Sequence, residues 1–187
     1  MNLYILRHAS AGVRRANPLL DVKRPLDKEG KQHCLQLAHV LNALKVNFDL
    51  VLSSPLKRAL QTAQLVATET GYEARVLSSD ALAPTAEYAD FLELIHQNDA
   101  RENVLLVGHN PNLPVFTGLL LAHAKPFSIP AEMPPAELPQ IRLRKGSLAR
   151  IALLRGNASL QSLIEPRLVR ALYSTSTKSS RRKTSRK

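Results

Sequence analysis

The apolar positions of this chain follow two alternating patterns. Short, mostly apolar stretches at Leu3–Leu6, Phe48–Leu52 and Asn103–Val107 have no helical period. Such runs predict strands buried on both faces. Between them the spacing changes. Cys34, Leu37, Ala38 and Leu41 recur as one face of a helix over 31–45, and Leu56, Ala59, Leu60 and Ala63 mark a second helix running to about Thr70. Ser54 reads as the N-cap of that second helix and Pro55 as its first residue. Residues 74–77 predict a further strand, and a loop from Leu82 to Glu87 leads into a helix over 86–97. Asn110 and Pro111 read as the opening of a helix that tolerates Pro114 near its start and reaches His123, whose place at the C-terminal end suits the helix dipole.

The pattern then changes again. Five prolines between 124 and 140 (Pro126, Pro130, Pro134, Pro135 and Pro139) predict an extended loop. Ser147–Leu154 and Leu160–Ile164 read as a hairpin turning at Arg155-Gly156-Asn157-Ala158, and 166–173 as a closing turn or short helix. Alternating strands and helices imply an α/β domain with a mainly parallel sheet. The C-terminal hairpin adds an antiparallel pair.

Length and composition narrow the picture. A chain of 187 residues fits one domain, placed at 1–173. A single cysteine, Cys34, excludes an internal disulfide and suits a reducing compartment. No apolar run is long enough to span a bilayer, and Arg7 interrupts the N-terminal one too early for a signal peptide. The expectation is a cytoplasmic protein without a membrane partner. The formal net charge is +11, and Lys178, Arg181, Arg182, Lys183, Arg186 and Lys187 contribute six of it. Subtracting those six leaves +5, a modestly basic body suited to anionic substrates. Residues 174–187 read as a basic disordered tail.

The candidate chemistry sits where strands end. Arg7-His8 follows the first strand, Ser53 to Arg58 joins the second to its helix, and Gly108-His109 follows the 103–107 strand. In an open parallel sheet these junctions share one crevice. Lys57 and Arg58 fall in the first turn of a helix, where cations oppose the macrodipole by about 0.3–1 kcal/mol each. An arginine there fits an anion pocket better than it fits packing. His33 and His39 lie six apart on different faces of their helix, which argues against joint metal ligation and for core or surface roles. The chain has no glycine–lysine phosphate loop, no HExxH pair, no cysteine-rich spacing and no Gly-x-Ser-x-Gly elbow. A metal-free, cofactor-free cationic pocket with an imidazole nucleophile remains, matched to a phosphoryl group.

These residues resemble the histidine phosphatase superfamily, the phosphoglycerate mutase-like group. Leu6-Arg7-His8-Ala9-Ser10 is similar to its first motif, Ser53 to Ala63 to its second, and Val107-Gly108-His109-Asn110-Pro111 to its third. Arg24-Pro25-Leu26 and Gly30 resemble the segment that follows the first motif in short, SixA-like phosphohistidine phosphatases. The resemblance covers roughly residues 1–165 and implies a single-domain, three-layer α/β/α architecture. It implies that His8 is the nucleophile, and that Arg7, Arg58 and His109 bind the phosphoryl oxygens. Many phosphomonoesterases of the group add a glutamate that protonates an alkoxide. Here that loop offers Glu87 as a candidate general acid, with Asp90 a turn later, outside any matching motif.

Three functions follow. The first is a phosphohistidine phosphatase acting on a phosphorylated protein, such as a phosphohistidine signalling domain. The second is a phosphomonoesterase for a small phosphorylated molecule. The third is a nucleic-acid-binding protein using the basic tail; sparse aromatics and the lack of a nucleic-acid motif argue against it.

Overall fold

The computed structural model describes residues 1–122, 138–154 and 157–173. Its centre is β1 (Asn2–Arg7), an unbroken apolar run buried on both sides. The chain continues through α1 (Pro18–Val22), α2 (Lys28–Ala43), β2 (Leu50–Ser53), α3 (Lys57–Glu69) and the two-residue β3 (Leu77–Ser78). After a 3-10 turn at Asp80–Leu82 come α4 (Tyr88–His96), β4 (Asn103–Gly108), α5 (Asn112–Ala122), β5 (Leu148–Leu154) and β6 (Asn157–Ile164). Residues 166–173 close the described chain as helix α6.

The sheet order is β3-β2-β4-β1-β5-β6. β1, β2, β3 and β4 run parallel, β5 lies antiparallel beside β1, and β6 lies antiparallel beside β5 at the sheet edge. Period-two alternation divides the core between the faces. Tyr4, Leu6, Leu105 and Val107 meet Cys34, Leu37, Leu41, Ala59, Ala63 and Val66 from α2 and α3. Leu3, Ile5, Val104 and Leu106 meet Phe91, Ile95, Leu113 and Phe116 from α4 and α5. The expected α/β/α layering with a C-terminal antiparallel pair is what forms.

Local corrections have local causes. α3 starts at Lys57, because the Ser54 N–H still donates to the Val107 carbonyl (2.9 Å) and keeps the chain extended through Leu56. Ser54 is therefore not the N-cap, and Pro55 is not helical. α5 starts at Asn112, after a cis Asn110–Pro111 bond, so Pro111 lies outside the helix. The strand expected over 74–77 shrinks to an edge pair with β2. α1 had no apolar period to announce it; Asn17 caps it by accepting from the Leu19 N–H (2.9 Å). β6 begins at Asn157, earlier than Leu160. The His123 expectation, most of the proline-rich loop, the Arg155-Gly156 turn and the 174–187 tail lie outside the described residues.

One close approach ties the second layer to the site. Asp27 caps α2 by accepting from the Gly30 N–H (2.7 Å), and the Ser10 hydroxyl donates to the same carboxylate (2.7 Å). This draws α2 so near the loop after β1 that a Cβ on Gly30 would overlap the Ser10 carbonyl oxygen. Backbone cannot swing aside as a flexible side chain can. Gly30→Ala should therefore lower stability by about 1–3 kcal/mol, read as a drop in the urea midpoint. A midpoint equal to or above that of the parent protein would contradict this packing.

Candidate active site

The ladder sets the site. Arg7 on β1 pairs with Gly108 on β4, and Ser53 on β2 pairs with Val107. The three strands thus end level with one another. The His8 N–H continues the ladder by donating to the Gly108 carbonyl (3.1 Å), which brings the His8 and His109 rings to 4.9 Å between centroids. Both histidines and Arg58 are buried. The structure thus gathers Arg7, His8 and His109 at aligned strand ends, with Arg58 in the first turn of the following α3.

His8 has a defined tautomer. Its Nδ1 lies 2.8 Å from the Ala9 carbonyl oxygen, which can only accept. Nδ1 therefore carries the proton, and Nε2 keeps its lone pair. Burial, then the positive charge of Arg58, Arg7 and Lys145, pushes the His8 pKa down to about 3, against the opposing pull of the Ala9 carbonyl. Burial and the charges of His8, Arg58, Arg7 and Arg24 push His109 down to about 2. Both rings are neutral at pH 7. His109 Nε2 meets the Ser54 hydroxyl at 2.9 Å.

The arginines are held by one end only. Arg7 Nη1 donates to the Leu143 carbonyl (2.9 Å), as does Asn110 Nδ2 (3.0 Å). Arg58 Nη1 donates to the Asp21 carbonyl (3.1 Å) and carboxylate (3.4 Å). Arg7 Nε, Arg58 Nε and His109 Nδ1 are buried with no protein partner. Buried polar groups are normally satisfied, so the two guanidinium N–H groups are open to an acceptor, and His109 Nδ1 joins them as a donor when the Ser54 hydroxyl donates to Nε2.

Several supports were invisible in the spacing. Thr62 accepts from the Ala9 N–H (3.1 Å) and donates to the Arg58 carbonyl (2.8 Å), joining the loop after β1 to α3. His33 is a buried anchor: its Nε2 donates to the Gly146 carbonyl (2.9 Å), and Gly146 N–H donates to the Arg7 carbonyl (3.0 Å). His39 is exposed and stacks edge-on against Tyr173, so the two helix histidines do face apart. Among the described residues no group of three or more His, Cys, Asp and Glu could hold a metal, and no helix is long and apolar enough to cross a membrane.

Glu87 is exposed at the start of α4, where its N–H donates to the Asp90 carboxylate (3.2 Å). The 83–86 loop before it is tied to Asn112, whose Nδ2 donates to the Ala83 and Ala86 carbonyls (3.3 and 2.8 Å). Glu87 thus borders the His109 loop.

The chain matches the histidine phosphatase superfamily (branch 1) over residues 3–83. An uncharacterized protein of Picosynechococcus sp. (strain ATCC 27264 / PCC 7002 / PR-6) is 37% identical over 116 residues, covering 60% of this chain and 68% of that protein. Among solved structures, the protein histidine phosphatase SixA complexed with tungstate superposes with a TM-score of 0.73 at 23% identity, covering 89% of this chain and 97% of that one. A putative alpha-ribazole-5'-P phosphatase from Escherichia coli str. K-12 gives 0.66 at 19% identity, covering 89% and 97%. A phosphoserine phosphatase mutant from Entamoeba histolytica, in complex with phosphoserine, gives 0.63 at 18% identity, covering 89% and 98%.

The neutral histidines couple stability to pH. An unfolded histidine titrates near its ordinary value of about 6.5. Below that pH the unfolded chain takes up protons that the folded His8 and His109 refuse, down to about 3 and about 2. Stability therefore falls as pH drops from 6.5 towards 4.5. Urea titrations at the two pH values should show this fall, and His8→Asn should make it shallower. An equal fall in the variant would contradict a neutral buried His8.

Proposed function

The chain belongs to the histidine phosphatase superfamily, and from that premise we propose that it is a phosphohistidine phosphatase acting on a phosphorylated protein. His8 Nε2 is the nucleophile. Its lone pair is free because Ala9 fixes the proton on Nδ1, and its depressed pKa keeps it unprotonated. Arg7 Nε, Arg58 Nε and His109 Nδ1 are the unpartnered groups that meet the phosphoryl oxygens. In-line transfer needs positioning and charge stabilisation above all, and guanidinium pairs supply both.

In the first step the His8 Nε2–P bond forms as the bond from phosphorus to the substrate imidazole breaks; the substrate ring, protonated on its other nitrogen, leaves as neutral imidazole. In the second, water attacks phosphorus and the Nε2–P bond breaks; one water proton stays on the phosphate, the other passes to solvent, and His8 returns to its neutral Nδ1–H form. The leaving group carries the argument for phosphohistidine. Imidazole has a pKa of about 6.5 and needs little help, whereas an alkoxide calls for a positioned acid contributing about 10²–10⁴-fold. Among the described residues, Asp21 is the carboxylate that pairs with one of the four site residues, and it is committed to arginines. Glu87 stands exposed at the start of α4, its N–H donating to Asp90.

The tether of the loop before Glu87 is also what favours the alternative. The Asn112 tether holds the Glu87 loop against the His109 loop, where a carboxylic acid could serve a small phosphate ester. The two readings separate on one comparison. Phosphohistidine should be hydrolysed with a kcat/KM about 10²-fold or more above that of glycerol phosphate. Glu87→Gln should leave the phosphohistidine rate unchanged. Fast hydrolysis of the alkyl phosphate, abolished by Glu87→Gln, would assign the chain to the phosphomonoesterases.

A further inference from the structure

The segment between the nucleophile loop and α2 has an unusual surface. Helix α1 buries none of its residues. Leu19 is 77% exposed, Leu20 56% and Val22 46%, and Val13 just before them is 87% exposed. Four large apolar side chains within ten residues stand exposed, and two of them, Val13 and Leu20, line one groove. The backbone beneath them is tied down. Arg24 Nη1 donates to the Ala11 and Gly12 carbonyls (2.7 and 2.9 Å), and the Arg15 N–H donates to the Asp21 carboxylate (3.0 Å). Arg15, Lys23 and Pro25 line the same groove.

Charge gives this patch a preferred occupant. Arg14, Arg15 and Lys23 are exposed around it. Two acids border it: the Asp21 carboxylate is already shared by Arg24 and Arg58, and Asp27, which also lines the groove, accepts from the Ser10 hydroxyl and the Gly30 N–H. The patch is therefore apolar at its centre and positive at its rim. It also abuts the phosphoryl site, because Asp21 on α1 receives Arg58, and Arg14 is near enough to depress the Arg58 pKa alongside the larger effect of burial.

Resting on the function proposed above, we infer that α1 with the 12–15 loop is the docking surface for the phosphorylated protein, and that it takes a segment carrying acidic and apolar residues beside the phosphohistidine. A free phosphorylated metabolite gains nothing from Leu19 or Leu20. A protein surface gains apolar burial from them, while the rim charges select acidic partners and speed encounter. The same contact places the partner over the helix that holds Arg58, so docking and phosphoryl binding share one element.

The test uses the full chain with three probes made by phosphoramidate treatment. They are free phosphohistidine, a phosphohistidine peptide flanked by Glu and Leu, and the same peptide with Lys in place of Glu. The acidic peptide should show a kcat/KM about tenfold above both others, carried by KM. Higher ionic strength should narrow that ratio. Leu19→Ser with Leu20→Ser, and separately Arg15→Glu with Lys23→Glu, should abolish the preference and leave free phosphohistidine turnover unchanged. Equal rates on the two peptides, or a preference that survives both double variants, would overturn the inference. So would a dimer, or binding to phosphatidylglycerol vesicles, that the Leu19/Leu20 variant loses. Free phosphohistidine reads the proposed function by itself. If it is not hydrolysed while glycerol phosphate is, that reading fails, and the same peptide pair built on phosphoserine decides the docking surface by the same ratio.

Discussion

The site depends on the register of three parallel strands. Arg7 lies opposite Gly108 and Ser53 opposite Val107, so β1, β4 and β2 deliver their ends to one level. Because side chains alternate along a strand, a slip of one residue would carry His8 to the other face and exchange the two cores. Register is secured by both cores at once, with Tyr4 and Leu6 packed under α2 and α3, and Leu3 and Ile5 under α4 and α5. The catalytic geometry is thus a consequence of hydrophobic packing some distance below it. Hydrogen bonds at the rim, from His8 N–H to Gly108 and from Ser54 N–H to Val107, extend the ladder into the loops that carry the chemistry.

On that platform, charge and burial act in the same direction. Burial first, and then the positive charge of Arg7 and Arg58, with Lys145 beside His8 and Arg24 beside His109, hold the two imidazoles neutral. A neutral imidazole is what a nucleophile requires, and a cluster of cations is what a phosphoryl dianion requires. The cations repel one another in the free pocket, and an anion placed among them would offset that repulsion. Asp21 does not neutralise the pocket. It grips Arg58 by one nitrogen from the exposed α1, leaving Nε without a protein partner.

The sequence carried the layers well, because both faces of the sheet are packed and the strands read as mostly apolar runs. The strand-end histidines and arginines were legible for the same reason: polar residues directly after such runs have few places to go. The errors cluster where tertiary contacts override local signals. Ser54-Pro55 has the look of a helix start, but the β4 ladder holds Ser54 extended and gives its hydroxyl to His109. Pro111 has the same look and falls outside α5. The proton holder for His8 is a backbone carbonyl, Ala9, which no side-chain pattern announces. Asp21 and Thr62 act across gaps of 37 and 53 residues, distances at which spacing in the chain says nothing.

Everything above turns on His8 Nε2 being the atom that accepts phosphorus. The most direct measurement is to quench the enzyme during turnover of labelled phosphohistidine under alkaline conditions and identify the phosphorylated nitrogen by mass spectrometry and phosphorus NMR. The account predicts label on His8, at Nε2, because Nδ1 is occupied by its hydrogen bond to Ala9. Label on Nδ1, on another residue, or on no residue during a competent burst of phosphate release would contradict it.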